Sequence, residues 1–183
     1  AANEAGPRGI DYEGGSAYVE KHLQVARAIL AKIREQDESL LDSTDWELVY
    51  QSRSGSPSTP WLEPDVNDAI DKIAGDVDGI IMVPLGFVSD HMEVLWDLDT
   101  EAMETCRNHG IVAVRTPTPG VHPAYVESLR RLIVERMAEP AESGHDRRES
   151  VFGESISGEV GWFDECDPDC CKPLRGQEKP VTV

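Results

Sequence analysis

The chain contains a continuous apolar run, "GIIMVPL", at residues 79–85. Its residues do not alternate between apolar and polar, and such a continuous run is typical of a strand covered on both faces of a parallel sheet. A helical segment from about Asp90 to Asn108 follows and stops at Gly110, and a second strand-like run occupies residues 111–117. Because parallel neighbours need a crossover connection, usually a helix, this order predicts a strand–helix–strand unit.

The remaining segments extend the same alternation. Apolar residues at helical spacing predict helices at 18–36, 65–75 and 122–139, and "WELVYQS" at 46–52 is a third strand candidate. We therefore expect residues 1–139 to form one α/β domain, a three-layer, doubly wound parallel sheet. Three strands make a thin sheet, so its first strand is expected to be missing. Residues 140–183 are polar and acid-rich without a sustained period, which predicts an irregular tail.

Charge and composition argue against several classes of partner. The 183 residues include 35 acids and 17 lysines or arginines, a formal net charge of −18. Nucleic acid is not expected as a partner, because its phosphates are bound by basic side chains. The longest apolar stretch is too short for a transmembrane segment, and the first residues do not resemble a signal peptide. Since the four cysteines are not spread as in a secreted disulfide framework, a cytoplasmic location is expected.

An acidic row of Glu93, Asp97 and Glu101 follows the first strand. On a helix these residues share one face, where like charges repel by about 0.2–0.5 kcal/mol per pair. The row starts beside Asp90 and His91, at the carboxyl end of a strand, where ligands bind in open α/β sheets. An imidazole beside carboxylates suits ferrous iron or proton transfer. The alternative is a solvated acidic helix face whose first-turn acids complement the helix dipole.

Three motifs taken together resemble ferrochelatase, the family of enzymes that insert ferrous iron into a porphyrin. They are Tyr-Gln-Ser-Arg at 50–53, Pro-Trp-Leu at 60–62 and Pro-Leu-Gly-Phe-Val-Ser-Asp-His-Met-Glu at 84–93. The resemblance runs from about residue 10 to 138, in the order and spacing of the family's C-terminal half. It implies a chelatase-like fold for this chain, as the second domain of a two-domain enzyme.

The resemblance also implies roles for the acidic row and its neighbours. Glu93 matches the family's metal-site glutamate, and Asp90 and His91 match the residues beside it, so these three are the candidate catalytic residues. Asp97 and Glu101 match acids that lead outward along an irregular, π-type helix. They would pass cations or protons between solvent and Glu93.

A porphyrin pocket is implied by a second set of matches. The residues that match its lining are Tyr18, Gln51, Ser52, Arg53, Trp61 and Phe87. The guanidinium of Arg53 suits the carboxylates of a porphyrin substrate. Trp61 and Phe87 would serve equally well as core aromatics, and that alternative stays open.

One part of the family's pattern is absent. Its catalytic histidine lies in a Ser-x-His-Ser segment, and none of the five histidines of this chain has that context. That segment and the family's first domain would precede residue 1. We therefore expect the chain to be the C-terminal portion of a longer enzyme, with a missing N-terminal half, and to be inactive alone.

The tail contains three cysteines in "ECDPDCCKP", namely Cys166, Cys170 and Cys171. Three crowded thiolates indicate a metal site, and tetrahedral zinc is compatible with their spacing. The tail also resembles the extension that holds a [2Fe–2S] cluster in some ferrochelatases, which implies that cluster as cofactor, with a fourth ligand outside this chain. Cys106, the remaining cysteine, is expected to be a helix residue facing the core.

The resulting hypothesis is that Fe²⁺ is a substrate and a porphyrin is the partner. The cysteine tail resembles that of actinobacterial members, which implies coproporphyrin III rather than protoporphyrin IX. Two alternatives stay open: a related chelatase that inserts another metal into another tetrapyrrole, and a non-catalytic module that binds an iron–sulfur cluster or zinc.

Overall fold

The computed structural model describes residues 11–41, 44–53 and 61–137. They divide between two units, one of residues 11–41 and 126–137 and one of residues 44–53 and 61–125. The tail predicted at 140–183 lies outside the described residues.

The first unit contains helix α1 (Ala17–Gln36), which confirms the helix predicted at 18–36. The buried Ser16 caps it, since its Oγ accepts a hydrogen bond from the Val19 backbone N–H at 3.3 Å. Short 3₁₀ turns precede and follow the helix, at Glu13–Gly15 and Glu38–Leu41. Helix α4 (Pro123–Met137) begins in the second unit and continues in the first, with a proline at its first position. It confirms the helix predicted at 122–139.

The second unit contains the predicted strand–helix–strand arrangement. Strands β1 (Gly79–Met82) and β2 (Val112–Arg115) pair in parallel, with Gly79 opposite Val112 and Met82 opposite Arg115. A π-helix (Val94–Ala102) connects them and continues as helix α3 (Met103–His109). The helix ends at Gly110, whose φ of +72° is the left-handed conformation that glycine adopts at helix ends.

Helix α2 (Val66–Ile73) packs against this connection and confirms the helix predicted at 65–75. Asp65 caps it by accepting a hydrogen bond from the Asn67 backbone N–H at 2.9 Å. The Asn67 side chain in turn accepts a 2.7 Å hydrogen bond from Thr105 Oγ1 on α3. A second link joins His109 Nε2 and Asp71 Oδ1 at 2.7 Å.

The hydrophobic core of this unit is centred on the connecting helix. Four residues spaced four apart, Val94, Leu98, Ala102 and Cys106, are all buried. Residues of α2 and the two strand regions complete the cluster: Val66, Ile70, Met82 and Ile111. Cys106 is therefore a core residue, as predicted, and burial raises the pKa of its thiol.

Two details of the predicted sheet are wrong. Residues 46–52 form no strand; within that segment Tyr50 alone makes a β-bridge, to Asp65. The Tyr50 backbone instead donates to the Pro64 carbonyl and accepts from the Val66 N–H, each at 2.9 Å, so it pairs with the start of α2. β1 is shorter than predicted and ends two residues before Pro84, which has no N–H to donate to a ladder.

The expected cover on both faces of β1 is not found either. Met82 is buried against the core, but Ile81, which points to the opposite face, is 72% exposed. The described residues form a sheet of two parallel strands. In the described part of the chain, no helix is both long and apolar enough to cross a membrane.

Candidate functional site

The candidate site lies at the carboxyl ends of β1 and β2. Thr116, just after β2, donates its N–H to the carbonyl of Met82, the last residue of β1, at 2.9 Å. Further along, the Gly120 N–H donates to the Val88 carbonyl at 2.8 Å. These bonds hold the loops after the two strands side by side, so residues 83–91 are fixed next to residues 116–120.

The π-helix explains how the acidic row keeps its alignment. In a helix of 3.6 residues per turn, positions four apart drift by about 40° per step. Hydrogen bonds from residue i to i+5 widen the turn, and the Met103 N–H accordingly donates to the Leu98 carbonyl. The wider turn makes residues four apart drift in the opposite direction, so a helix that combines α- and π-type turns keeps them near one face. Val94, Leu98 and Ala102 therefore stay buried together, and each follows one member of the acidic row.

The three acids of the row differ in their surroundings. Asp97 is half-buried and accepts a hydrogen bond from Ser52 Oγ. Glu93 and Glu101 are exposed, and in the described ranges neither carboxylate has a hydrogen bond or an ion pair. Two carboxylates of the row are thus available to a cation, one at each end.

Ser52 brings the Gln-Ser-Arg motif to the middle of the acidic row. Gln51 Nε2 donates to Ser52 Oγ at 3.4 Å, and that hydroxyl is the group that contacts Asp97. Ser52 has a φ of +58°, a left-handed conformation that costs a residue with a Cβ about 1–3 kcal/mol. Arg53 is exposed. The strained serine lies at a point where the predicted pocket lining contacts the predicted metal path.

His91 is positioned by the start of the helix and by an aromatic neighbour. Its Nδ1 accepts a hydrogen bond from the Glu93 backbone N–H at 3.2 Å, as a capping side chain does. Because Nδ1 accepts, a neutral imidazole carries its proton on Nε2. The ring meets Phe87 edge to face, with the centroids 4.5 Å apart. Phe87 also packs against the hydrophobic core, so it serves both as a core aromatic and as a neighbour of the site.

Asp90, a predicted catalytic residue, is bound by the last residue of β2 and by the loop that follows. Its Oδ1 accepts hydrogen bonds from Arg115 Nη1 at 2.9 Å and from the Thr118 backbone N–H at 3.3 Å. Arg115 also forms a two-pronged ion pair with Asp99, from Nε to Oδ1 at 2.7 Å and from Nη2 to Oδ2 at 2.6 Å. These bonds lower the pKa of Asp99 and raise that of Arg115.

Sequence reasoning missed Arg115. The signal was present, since a basic residue at the end of an otherwise apolar strand reaches the sheet edge where the acids gather. The sequence-based prediction for residues 111–117 is a strand without a site residue.

The other predicted site residues are placed as follows. Trp61 is half-buried at the start of a described segment. Tyr18 belongs to the first unit, where its ring contacts that of His22 at a tilt of 39°, with centroids 4.3 Å apart. Cys166, Cys170 and Cys171 lie outside the described residues. Within the ranges that are described, no group of three or more His, Cys, Asp or Glu side chains is arranged to hold a metal ion.

Comparison with known proteins identifies one family. The family model described as ferrochelatase matches residues 7–137. Among curated proteins, the coproporphyrin III ferrochelatase of Tropheryma whipplei (strain Twist) is 46% identical over 177 residues, covering 97% of this chain and 42% of the relative. That of Leifsonia xyli subsp. xyli is 45% identical over 188 residues, covering 100% of this chain and 45% of the relative.

A third relative matches less of the chain. The ferrochelatase of Rhodopirellula baltica is 47% identical over 132 residues, or 70% of this chain and 34% of the relative. The chain thus spans less than half the length of these curated relatives.

Proposed function

The chain belongs to the ferrochelatase family, and on that premise we propose that it forms part of an enzyme that inserts Fe²⁺ into a porphyrin. The observation that carries this proposal is the acidic row on its π-helix, which begins at the carboxyl edge of the sheet. Its end members, Glu93 and Glu101, have carboxylates without protein partners among the described residues. Carboxylates are hard ligands suited to a divalent cation, and exposed ones can exchange it with solvent.

In this proposal Glu93 delivers the metal, because it is the acid of the row nearest to the strand end. Asp97 and Glu101 pass cations or protons along the helix between solvent and Glu93. His91 and Asp90 hold the helix start, through the cap on the Glu93 N–H and the bond to Arg115. A porphyrin must lose two inner N–H protons as iron enters, so a carboxylate beside the metal also suits proton removal.

Porphyrin binding is proposed for Tyr18, Gln51, Ser52, Arg53, Trp61 and Phe87. The contacts of Ser52 with Asp97 and of Phe87 with His91 support this for two of them, since they join lining residues to the metal residues. The Arg53 guanidinium is suited to a substrate carboxylate.

Coproporphyrin III is the proposed substrate, ahead of protoporphyrin IX, in a step of heme biosynthesis. Support comes from the names of the Tropheryma and Leifsonia relatives. Their alignments cover nearly all of this chain and so include most of the region from residue 140 onward. The Rhodopirellula relative, named only ferrochelatase, matches 132 residues.

The complete enzyme is proposed to contain more than this chain, because the relatives are more than twice as long. The additional part would supply the opposite pocket wall and the histidine that none of the five histidines here matches. It would also add strands to the sheet and complete a three-layer, doubly wound domain. We propose a cytoplasmic location for this enzyme.

A [2Fe–2S] cluster is proposed on Cys166, Cys170 and Cys171. Thiolates are the usual ligands of such clusters, so the donor set fits. Cys106, the only other cysteine, is buried in the core of the second unit, and burial raises the pKa of its thiol. It is unsuited as the fourth ligand, which is therefore placed outside this chain. The cluster would supply a one-electron redox centre or a cross-link of the tail.

The proposal is tested by metallation assays on the complete enzyme under anaerobic conditions. Loss of porphyrin fluorescence on addition of Fe²⁺ measures turnover with coproporphyrin III and with protoporphyrin IX. We expect Fe²⁺-dependent turnover, with kcat/KM about tenfold or more higher for coproporphyrin III, and none from the isolated chain. That ratio corresponds to about 1.4 kcal/mol of discrimination. Failure to metallate either porphyrin would overturn the assignment.

A further inference from the structure

We infer that Arg115 is a positioning residue for metal insertion, which fixes the loop where the acidic row begins to the middle of the π-helix. This inference rests on the proposed function, since it concerns the same carboxylates. Among the described residues, Arg115 forms no hydrogen bond or ion pair with Glu93 or Asp97, and it acts through Asp90 and Asp99.

The Arg115 guanidinium connects the loop at Asp90 with the π-helix at Asp99. It donates four hydrogen bonds: two to Asp99, one to Asp90 and one, at 3.1 Å, to the Thr116 carbonyl. Its side chain is 10% exposed, whereas those of Asp90 and Asp99 are about one-third exposed. The guanidinium is thus the buried centre of the group, and it ties β2 to both ends of the ten-residue stretch from Asp90 to Asp99.

Arg115 also divides the local acids into two groups. Residues 90–101 contain five acids. Arg115 binds Asp90 and Asp99, and these carboxylates are consequently engaged by a protein cation. The three acids that remain are those of the acidic row. A metal ion at this edge of the sheet is therefore directed to the row and away from the paired acids.

Loss of the guanidinium would have two local consequences. The Asp90 side chain would keep only its bond from the Thr118 N–H, so the helix start that carries Glu93 would be less fixed. Asp99 would become an unpaired anion two residues from Asp97, able to compete for the incoming cation. Small displacements of a reacting group, of about 1 Å, lower rates by up to about 100-fold.

The test compares Arg115→Met, Arg115→Lys and the control Arg107→Met in the complete enzyme. Arg107 is an exposed arginine on α3, and its replacement changes the net charge equally. Steady-state metallation of coproporphyrin III is measured well below the unfolding temperature of each variant. We expect Arg115→Met to lower kcat by about 10- to 100-fold with the porphyrin KM within about threefold of wild type. Arg115→Lys retains the positive charge but lacks the planar guanidinium that binds both carboxylates, so it is expected to recover only part of kcat.

A role in stability alone would lower the unfolding temperature and leave kcat of the folded protein unchanged. If Arg115→Met does not fold, kcat of Arg115→Lys distinguishes a positioning role from a role in stability alone. Wild-type kcat in a folded Arg115 variant, or an equal loss in Arg107→Met, would overturn the inference. An inactive wild type would instead overturn the proposed function, so the two failures are distinguishable.

Discussion

Glu93→Gln is expected to lower kcat for Fe²⁺ insertion by about 100-fold or more, while porphyrin binding is retained. The amide has nearly the same shape as the carboxylate, but it carries no charge for the metal and cannot accept a proton. Glu93 has no hydrogen bond or ion pair to its carboxylate within the described parts of the chain, so the substitution breaks no internal contact. The effect should therefore fall on chemistry rather than on stability.

The measurement is single-turnover metallation of coproporphyrin III, with porphyrin affinity measured separately by absorbance titration. Glu104→Gln is the matched control, because Glu104 is an exposed acid on α3 and its replacement removes the same charge. It should leave turnover within about twofold of wild type. Equal turnover by Glu93→Gln and wild type would show that the Glu93 carboxylate has no role in iron insertion.

Leu98→Ala is expected to destabilise the second unit by about 2–5 kcal/mol, the usual cost of truncating a buried leucine to alanine. Leu98 is 4% exposed and lies in the buried stripe of the π-helix. In a protein of this size each kcal/mol lowers the unfolding temperature by roughly 2–4 °C, so a shift of at least about 4 °C is expected by calorimetry.

Leu95→Ala is the control for this change, on the same π-helix. Leu95 is 41% exposed, so its truncation should have about half the effect or less. Equal shifts for the two variants would show that the buried stripe does not stabilise the unit as described.

The helices could be predicted from the sequence because each has a period or boundary residue that acts locally. Ser16 caps α1, Pro123 starts α4, and Gly110 ends α3 in the left-handed conformation. The parallel pairing of β1 and β2 followed from a helix between two apolar runs. The π-type winding was implied by the family resemblance and is confirmed at Val94–Ala102.

The sheet was less predictable, because pairing depends on distant residues. Residues 46–52 have the composition of a strand, yet Tyr50 pairs with residues next to α2. Ile81 belongs to an apolar run, but its exposure depends on what covers that face. Composition and period show that a segment can form a strand without showing its partner.

The contacts that organise the candidate site were also beyond sequence reasoning. Ser52 and Asp97 are 45 residues apart, and both were assigned to the site, but nothing local indicated that they touch. For Arg115 the sequence indicated a position at the sheet edge, but not that Asp90 and Asp99 would be its partners there. Such contacts become visible only when the strands and the helix are placed together.

Anomalous scattering at the iron absorption edge can show whether the acidic row binds the iron. Crystals of the complete enzyme would be soaked anaerobically in Fe²⁺, with Glu93→Gln crystals treated in the same way. If the row binds the iron, we expect a peak within bonding distance of the Glu93 carboxylate, weaker peaks near Asp97 or Glu101, and loss of the first peak in Glu93→Gln. Iron bound elsewhere in the protein, with no peak along the row, would contradict it.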